Sequence, residues 1–311
     1  GENCIRQAIK KGARLVVASK KCKIKSNKVN ILKTNDVREY LGEVVSKFYK
    51  RKPNNIIAVT GTNGKTSVAE FFYQILDQNK IPVGSIGTLG IKYKKKFIKT
   101  NLTSPDIITL HESLERLKKN KIDNVILEAS SHGIDQKRLN NLKFKVGAFT
   151  NFSQDHLDYH KNMKSYLNAK LKLFSKLLPK KSYVVTDSSL NEYSKLKKII
   201  IKRKLRLLDA KNELDKIKKI PTNLIGAFQI KNLSIAVLLA KICRLKTDKI
   251  YSVLKKINNV PGRLQLIKRF PNNIRVLIDY AHTPDALQEA LKSIKNQFRD
   301  NISLVFGCGG E

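Results

Sequence analysis

From Asn55 onward, short apolar runs alternate with segments whose apolar residues recur at helical spacing. The runs read as strands and are "IIAVTG", "NVILEASS", "KVGAFTNF" and "SYVVTD". Helices are predicted from Ser67 to Asn79, from Leu110 to Lys119 and from about Lys164 to Leu178, with a further basic helix after "SYVVTD". Strands that alternate with helices form parallel sheets covered on both faces. The sequence therefore predicts a central α/β domain built on a parallel sheet.

Two interruptions of this pattern divide the chain. On the N-terminal side, a helix-like "CIRQAIKKGA", a strand-like "RLVVAS" and a helix from Asp36 to about Tyr49 precede the linker "KRKPNN". On the C-terminal side, helices in "LIGAFQIKNLSIAVLLAKIC" and "TDKIYSVLKKI" are followed by the breakers Pro261 and Gly262. The predicted segments are 1–52, 53–262 and 263–311.

The last segment reads as the first half of another α/β domain. A strand and a helix are predicted in "IRVLIDYAHTPDALQEALKSIKNQ", and a second strand in "NISLVFGCGG". The chain also opens on Gly1 in what reads as the middle of a domain, and it stops at Glu311 directly after that strand. We expect the sequence to be a fragment of a longer protein, so the absence of a signal peptide carries little weight.

The formal charge of +37 makes nucleic acid and an anionic membrane candidate partners. The basic residues are mostly lysine and are spread along the whole chain, whereas surfaces that bind nucleic acid gather arginine and aromatic side chains in one patch. We favour a solvated lysine surface that attracts anionic substrates, and expect no nucleic-acid partner. An ATPase stimulated by nucleic acid is the alternative from another class of function.

Cysteine spacing and hydropathy indicate the cellular compartment. Cys4, Cys22, Cys243 and Cys308 lie far apart and show no spacing typical of a disulfide framework or a zinc site. The longest apolar run, around Ile235 to Ala240, is far shorter than the roughly 18 residues of a membrane-spanning helix. With 41% hydrophobic residues, the composition is that of a globular protein, and we expect a monomer of the reducing cytoplasm with no membrane insertion.

A glycine-rich loop, "GTNGKTS", stands between an apolar run and an amphipathic helix. Its glycines let successive backbone amides face a phosphate, and the following helix adds the positive end of its dipole. Lys65 is predicted to reach the terminal phosphates of a bound nucleotide, and the Thr66 hydroxyl to ligate Mg²⁺. The standard loop has four residues between its two glycines, and this one has two. The predicted nucleotide-binding residues here are Gly61, Thr62, Asn63, Gly64, Lys65, Thr66 and Ser67.

The run "LEASSHGIDQKR" places a carboxylate at the end of a strand that reads as buried. A buried carboxylate needs a cation, so Glu128 is a candidate Mg²⁺ ligand. Ser130, Gln136 and Arg138 offer a hydroxyl, an amide and a guanidinium, a set suited to a substrate that bears a carboxylate. An ordinary exposed glutamate is the alternative reading.

The run "NFSQDHLDYHKNMKSYLNAK" combines two histidines with two aspartates. The spacing of these four residues makes a zinc site one interpretation, although no cysteine accompanies them. His156 and His160 as loop or helix-capping residues are the plainer alternative.

The glycine loop, "EASSHG", "NFSQDHLDYH", "GAFQIKN", "PGR" and "DYAHTPDA" together resemble the motifs of the Mur ligase family, in order and approximate separation. These are ATP-dependent, amide-bond-forming enzymes, and the resemblance covers nearly the whole chain. It implies a P-loop-type central domain at 53–262, flanked by a partial N-terminal, uridine-nucleotide-binding α/β domain at 1–52. The start of a Rossmann-like domain at 263–311 is also implied.

The resemblance implies several residue roles. His156 would approach a second Mg²⁺ ion, and Lys170, the lysine of "NAK", would be carbamylated by CO₂ and so become an anion able to ligate metal. Thr103 and Ser104 of "LTSPD" would donate hydroxyl hydrogen bonds to the substrate. Where the family has a first asparagine near adenine, this chain has Gln229. The remaining implied nucleotide contacts are Asn232, Arg263, Asp279 and His282.

Within the family, the motifs look most like the member that adds the third residue of the peptidoglycan stem peptide. The implied partners are the UDP-N-acetylmuramoyl dipeptide, ATP with Mg²⁺, and an amino acid, for which we favour meso-diaminopimelate over L-lysine. A folate-extending relative and a fragment that binds nucleotide without turnover are the alternatives.

Overall fold

The computed structural model describes residues 2–220 and 222–307. Its N-terminal part contains helix α1 (Ile5–Lys10), strands β1 (Leu15–Ser19) and β2 (Asn30–Thr34), and helix α2 (Val37–Phe48). The two strands pair in parallel, and a small apolar cluster around Ile5 and Val16 packs between them and α1. The helix, strand and helix expected before the linker are confirmed.

The central part follows as an alternation of strands and helices. Its first half comprises β3 (Asn55–Thr60), α3 (Lys65–Gln78), β4 (Val83–Gly87), β5 (Gly90–Tyr93), β6 (Lys96–Ile98), α4 (Ile107–Lys119) and β7 (Asn124–Glu128). Its second half comprises α5 (Ser131–Asp135), β8 (Phe144–Phe149), α6 (Leu157–His160), α7 (Met163–Lys172), a π-helical turn (Leu173–Leu177), β9 (Tyr183–Thr186), α8 (Tyr193–Lys202), β10 (Arg206–Asp209) and α9 (Ala210–Ile217).

One eight-stranded sheet has the order β10-β9-β8-β3-β7-β4-β5-β6. The six strands from β10 to β4 are parallel, as predicted. The other edge adds two strands that were not predicted, β5 and β6, which run antiparallel. Gly87 pairs with Gly90, so only two residues separate β4 from β5, and a connection that short returns the chain antiparallel.

Two apolar clusters cover the two faces of the sheet. Helix α3 packs on one face together with α9 and with two later helices, α10 (Ala227–Ile242) and α11 (Thr247–Val253). On the other face pack α4, α5, α7 and α8. Helix α10 is apolar almost all round because it lies between α3 and α9. The prediction of helices on both faces is confirmed.

The C-terminal part holds a short 3₁₀ turn (Leu254–Lys256), strands β11 (Gln265–Arg269) and β12 (Arg275–Ile278), and helix α12 (Pro284–Phe298). The strands form an antiparallel pair, and β11 was not anticipated from the sequence. Thr283 caps α12 by accepting from the Ala286 amide, with Pro284 at the first helical position. A small cluster of Ile225, Leu264 and Ala290 joins this part to the start of α10.

The second strand expected in "NISLVFGCGG" is absent from residues 301–307, which are exposed and lie beside no strand. An extended segment without a neighbour has no ladder partner for its amides, so it is not a strand. The rest of that run, 308–311, lies outside the described residues. Within the described part of the chain, no helix combines the length and hydropathy needed to cross a membrane.

Candidate active site

A cavity of about 550 Å³ opens at the carboxyl ends of β3, β7 and β8. Parallel strands bring the residues that follow them to one edge of the sheet, which is where α/β proteins bind ligands. Fifteen of the predicted site residues line it: Thr62, Asn63, Gly64, Lys65, Thr66, Ser67, Thr103, Glu128, Ser130, His156, Lys170, Asn232, Arg263, Asp279 and His282. Gly61, Ser104, Gln136 and Arg138 are not among the lining residues.

The glycine loop connects β3 to α3 in a conformation that requires both glycines. Gly64 has φ +84°, and a Cβ there would stand 2.5 Å from Oδ1 of Asn232. At Gly61, with φ +149°, a Cβ would stand 1.9 Å from the Thr150 hydroxyl. The backbone of the loop therefore approaches its neighbours more closely than any side chain would permit.

The amides of the loop divide into two groups. Those of Thr62 and Asn63 donate to the backbone oxygen and the side-chain Oδ1 of Asn151, at 3.0 and 2.9 Å. Those of Lys65, Thr66 and Ser67 begin α3, where no preceding turn supplies an acceptor. The second group leaves the positive end of the helix facing the cavity, as a phosphate site requires.

Lys65 lies inside the loop that it belongs to. Its Nζ donates to the backbone oxygens of Gly61 and Thr62, at 3.0 and 2.7 Å. Burial lowers the pKa of this amine, while the nearby carboxylates of Glu128 and Asp155 oppose that shift. The ammonium is thus held beside the loop by carbonyl oxygens that a phosphate could replace.

Glu128 ends β7 and is 2% exposed. Its Oε2 accepts from the hydroxyls of Thr66 and Thr88, at 2.9 and 3.1 Å, and its Oε1 accepts from the Thr88 amide at 2.9 Å. The carboxylate is therefore buried and fully oriented by neutral donors, directly beside the hydroxyl of the glycine loop. The alternative of an ordinary exposed glutamate is wrong.

Lys170 is 1% exposed on α7. Its Nζ donates to the Gly61 oxygen at 2.7 Å and lies 4.2 Å from the centroid of the Tyr166 ring. Burial, together with the positive charge of Lys65, holds the pKa of Lys170 well below its usual range. The structure thus separates this lysine from the many exposed lysines of the chain.

His156 directly precedes α6, at its N-cap position, and has a left-handed backbone, φ +52°. Its Nε2 lies 3.4 Å from Oδ2 of Asp155, and its ring packs edge-on against His132, with centroids 4.8 Å apart. Burial lowers the pKa of His156, and Asp155 opposes the shift. Oδ2 of Asp155 also lies 4.0 Å from Nε2 of His282, so one carboxylate faces histidines from two parts of the chain.

The residues predicted to hold substrate fall into two groups. Thr103 and Ser130 line the cavity, but the buried Ser104 donates to the Glu128 backbone oxygen at 2.7 Å and accepts from the Ser130 amide at 2.9 Å. Arg138 donates to Gln136 Oε1 at 2.6 Å and to the Ser104 oxygen at 2.8 Å. Ser104, Gln136 and Arg138 thus support the wall of the cavity from behind.

The C-terminal residues close the opposite side of the cavity. Arg263 lies 3.5 Å from the Thr66 hydroxyl and stacks on Tyr280. Asp279 accepts from the amides of Leu264 and Ala281, and burial raises its pKa. Asn232 donates to Gln229 at 3.2 Å, so the glutamine that departs from the family pattern is bonded to its neighbouring motif residue.

Several residues of the site were not anticipated from the sequence. Thr150 and Asn151 hold the glycine loop through Asn63, whose backbone oxygen accepts from both side chains, at 2.5 and 3.2 Å. Ser153, Asp155 and Thr88 also line the cavity. Position at the end of the predicted strand "KVGAFTNF" was the available signal for Thr150 and Asn151, since β8 is parallel to β3. No such signal marked Thr88, because β4 was not recognised.

The donor set suits a nucleoside triphosphate with a divalent cation. Lys65 and Arg263 supply positive charge, the start of α3 supplies amides, and Thr66, Glu128 and His156 supply oxygen and nitrogen ligands around the same space. The arrangement can therefore bind and orient a phosphoryl donor next to an anionic acceptor.

Comparisons with known proteins support this interpretation. The Mur ligase middle domain model matches residues 59–240, and the model of the Mur ligase glutamate ligase domain matches residues 262–311. The UDP-N-acetylmuramoyl-L-alanyl-D-glutamate–2,6-diaminopimelate ligase of Rickettsia bellii is 38% identical, over 100% of this chain and 70% of the relative.

Solved structures show the same architecture. A ligase of the same description aligns over 100% of this chain and 68% of its own, with a TM-score of 0.78 and 26% identity. A bifunctional folylpolyglutamate synthase/dihydrofolate synthase from Yersinia pestis, complexed with AMPPNP and a Mn ion, gives a TM-score of 0.65 at 16% identity, over 88% of this chain and 72% of that chain. The second likeness is one of fold alone. With its middle-domain match spanning most of the central sheet and site, the chain belongs to the Mur ligase family.

Proposed function

We propose that this chain joins 2,6-diaminopimelate to the D-glutamyl carboxylate of UDP-N-acetylmuramoyl-L-alanyl-D-glutamate at the expense of ATP. The observation that carries the proposal is the convergence of the glycine loop, Glu128, Lys170 and Arg263 on one cavity. The names of the relatives supply the substrate class.

The chemistry proceeds in two steps. A carboxylate oxygen of the dipeptide attacks the γ-phosphorus of ATP, the bond from that phosphorus to the β-bridging oxygen breaks, and ADP leaves. The amine of the amino acid then attacks the carbon of the acyl phosphate. A C–N bond forms, phosphate leaves, and the amine loses its proton. Activation is needed because a carboxylate is a poor electrophile, whereas a mixed anhydride is a good one.

The chain's own residues position the reactants. Lys65 and the amides at the start of α3 would hold the β- and γ-phosphates, and Arg263 would offset charge on the transferred group. Asn232 would contact adenine, while Asp279 and His282 would approach ribose and phosphate. Protein groups need supply little covalent chemistry, because orientation and charge compensation lower the barrier.

The residues present fit Mg²⁺. Thr66 and Glu128 would hold one ion, and His156 would approach a second. When bound, the ions would reduce the repulsion between two anionic substrates. Glu128 fits this role because, among the residues that the structure describes, only hydroxyl and amide groups contact its oxygens and no cation lies within hydrogen-bond distance.

Lys170 is proposed to be carbamylated. A neutral amine attacks CO₂, a C–N bond forms and a proton leaves, so the modification requires the deprotonated lysine. The lowered pKa of Lys170 supports this requirement. The product anion would lie between Lys65 and Tyr166 and could act as a metal ligand.

The dipeptide is proposed to bind on the side of the cavity lined by Thr103 and Ser130, with Ser104, Gln136 and Arg138 behind it.

Residues 53–262 would form the ATP-binding domain, 1–52 part of a uridine-nucleotide-binding domain and 263–311 the start of the domain that receives the amino acid. We propose a monomer as the working unit. The cysteines of the described residues are free thiols, which supports a reducing cytoplasm.

Hydroxylamine trapping tests the first step without requiring the amino-acid acceptor. With ATP and Mg²⁺, the dipeptide substrate should yield a hydroxamate and ADP, and omission of either substrate should abolish both. Diaminopimelate should then compete with hydroxylamine better than L-lysine does. Hydroxamate from a folate substrate, or ATP hydrolysis stimulated by DNA or RNA, would overturn the proposal.

A further inference from the structure

Thr88 touches the candidate metal ligand Glu128 twice. Strand β4 ends at Gly87, next to β7, which ends at Glu128. As the first residue after β4, Thr88 donates from its amide to Oε1 at 2.9 Å and from its hydroxyl to Oε2 at 3.1 Å. Both carboxylate oxygens are thereby fixed by one residue of the neighbouring strand.

Gly87 makes room for this arrangement. A Cβ at position 87 would stand 2.0 Å from Oε1 of Glu128 and 2.6 Å from its Cδ. The carboxylate therefore crosses directly over the backbone of Gly87 and reaches the Thr88 amide. Any larger residue at position 87 would displace it.

The Thr88 hydroxyl also reaches the side of the cavity assigned to the dipeptide. Its Oγ1 lies 3.2 Å from Oγ1 of Thr103. A hydroxyl carries one hydrogen, so when Thr88 donates to Glu128 it accepts from Thr103. The two threonines then form a chain of hydroxyls that ends at the carboxylate.

We propose that Thr88 is a positioning residue that orients Glu128 for the divalent cation and links it to Thr103 on the dipeptide side. This inference rests on the proposed function. Hydrogen-bond partners of metal ligands typically contribute about 10- to 100-fold to metal affinity or activity. Because the Thr88 amide persists in every variant, we expect the lower end of that range.

Four variants of the 311-residue chain test the role. Thr88→Val removes the hydroxyl at nearly constant volume, and Thr88→Ser restores it. The matched control is Thr100→Val, since the Thr100 hydroxyl lies near the oxygens of Gly87 and Leu102 and makes no hydrogen bond to Glu128. Thr103→Val tests the chain of hydroxyls, because it removes the donor to Thr88 and leaves the Thr88 hydroxyl in place. The measured quantity is the dissociation constant of Mn²⁺ in the presence of AMPPNP, followed by electron paramagnetic resonance, with thermal melting as the check of folding.

Thr88→Val should weaken Mn²⁺ binding about tenfold, while Thr88→Ser and Thr100→Val stay within about threefold of the wild type. Thr103→Val should also weaken Mn²⁺ binding, by less than Thr88→Val, because the Thr88 hydroxyl that contacts Glu128 remains. A folded Thr88→Val variant with wild-type Mn²⁺ affinity would overturn this inference and leave the proposed function intact. Failure of the wild-type chain to bind Mn²⁺ with AMPPNP would instead overturn the proposed function.

Discussion

The Nζ of Lys170 lies 2.7 Å from the Gly61 oxygen, so a buried amine on α7 contacts the first residue of the glycine loop. Its lowered pKa has a consequence for stability. Between that pKa and the ordinary value of about 10.4, the unfolded chain binds more protons at this site than the folded one, so the stability of the wild type rises with pH.

Lys170→Met removes this titrating amine, so the free energy of unfolding of the variant minus that of the wild type should fall as the pH rises. Its advantage in free energy of unfolding should shrink as the pH rises from 6.5 to 9, by up to about 1.4 kcal/mol per pH unit. Urea denaturation in CO₂-free buffer measures the difference. The exposed Lys164→Met serves as the control and should run parallel to the wild type. Parallel curves for Lys170→Met would contradict a neutral buried amine.

Gly64→Ala and Gly12→Ala separate backbone strain from steric exclusion. Both glycines have a left-handed backbone, φ +84° and +89°, but a Cβ meets Asn232 only at position 64 and nothing within 4 Å at position 12. Gly12→Ala should lose about 1–2 kcal/mol of stability from backbone strain alone, and Gly64→Ala should lose more because its Cβ also meets Asn232. Only Gly64→Ala should weaken ATP binding, by about tenfold or more, measured by titration calorimetry. Equal ATP affinity in the two variants would exclude a close approach of nucleotide to this loop.

Asp155→Asn should lower the pKa of His156 further, because Asp155 is the carboxylate that opposes the effect of burial there. The matched variant Asp158→Asn should lower the pKa of His132 and leave that of His156 unchanged. Imidazole resonances followed by NMR against pH report both values in the metal-free protein. An unchanged His156 titration in Asp155→Asn would contradict the influence of the Asp155 carboxylate on this ring.

Ser104→Ala should destabilise the fold, because the Ser104 hydroxyl serves the Glu128 oxygen and the Ser130 amide at once. The expected loss is about 1–3 kcal/mol. Ser130→Ala removes a helix cap on Gly133 and should cost about 1 kcal/mol. Denaturant titration of both variants gives the comparison. A Ser104→Ala variant as stable as the wild type would contradict a structural role for the Ser104 hydroxyl.

The sequence was informative wherever a motif followed a recognisable buried strand. The loop after β3 and Glu128 at the end of β7 were located correctly because the ends of parallel strands lie at one edge of the sheet. The long apolar helix α10 was equally clear, since few polar residues interrupt it.

Other features depended on contacts that no local pattern encodes. The hairpin of β4 and β5 was missed because its strands are short and rich in glycine, and Thr88 was missed with it. Strand β11 was read as a turn because it follows Pro261 and Gly262, while residues 301–307 were read as a strand from β-propensity alone. The support that Arg138 gives to Ser104 arises from tertiary packing and was not predictable.

The most direct test of the account is a crystal structure of the chain with AMPPNP and Mn²⁺, in which anomalous scattering locates the ions. We expect the triphosphate on the loop from Gly61 to Ser67, one Mn²⁺ peak beside Thr66 and Glu128, and a second beside His156 and Lys170. Nucleotide bound away from that loop, or ions remote from Glu128 and His156, would contradict it.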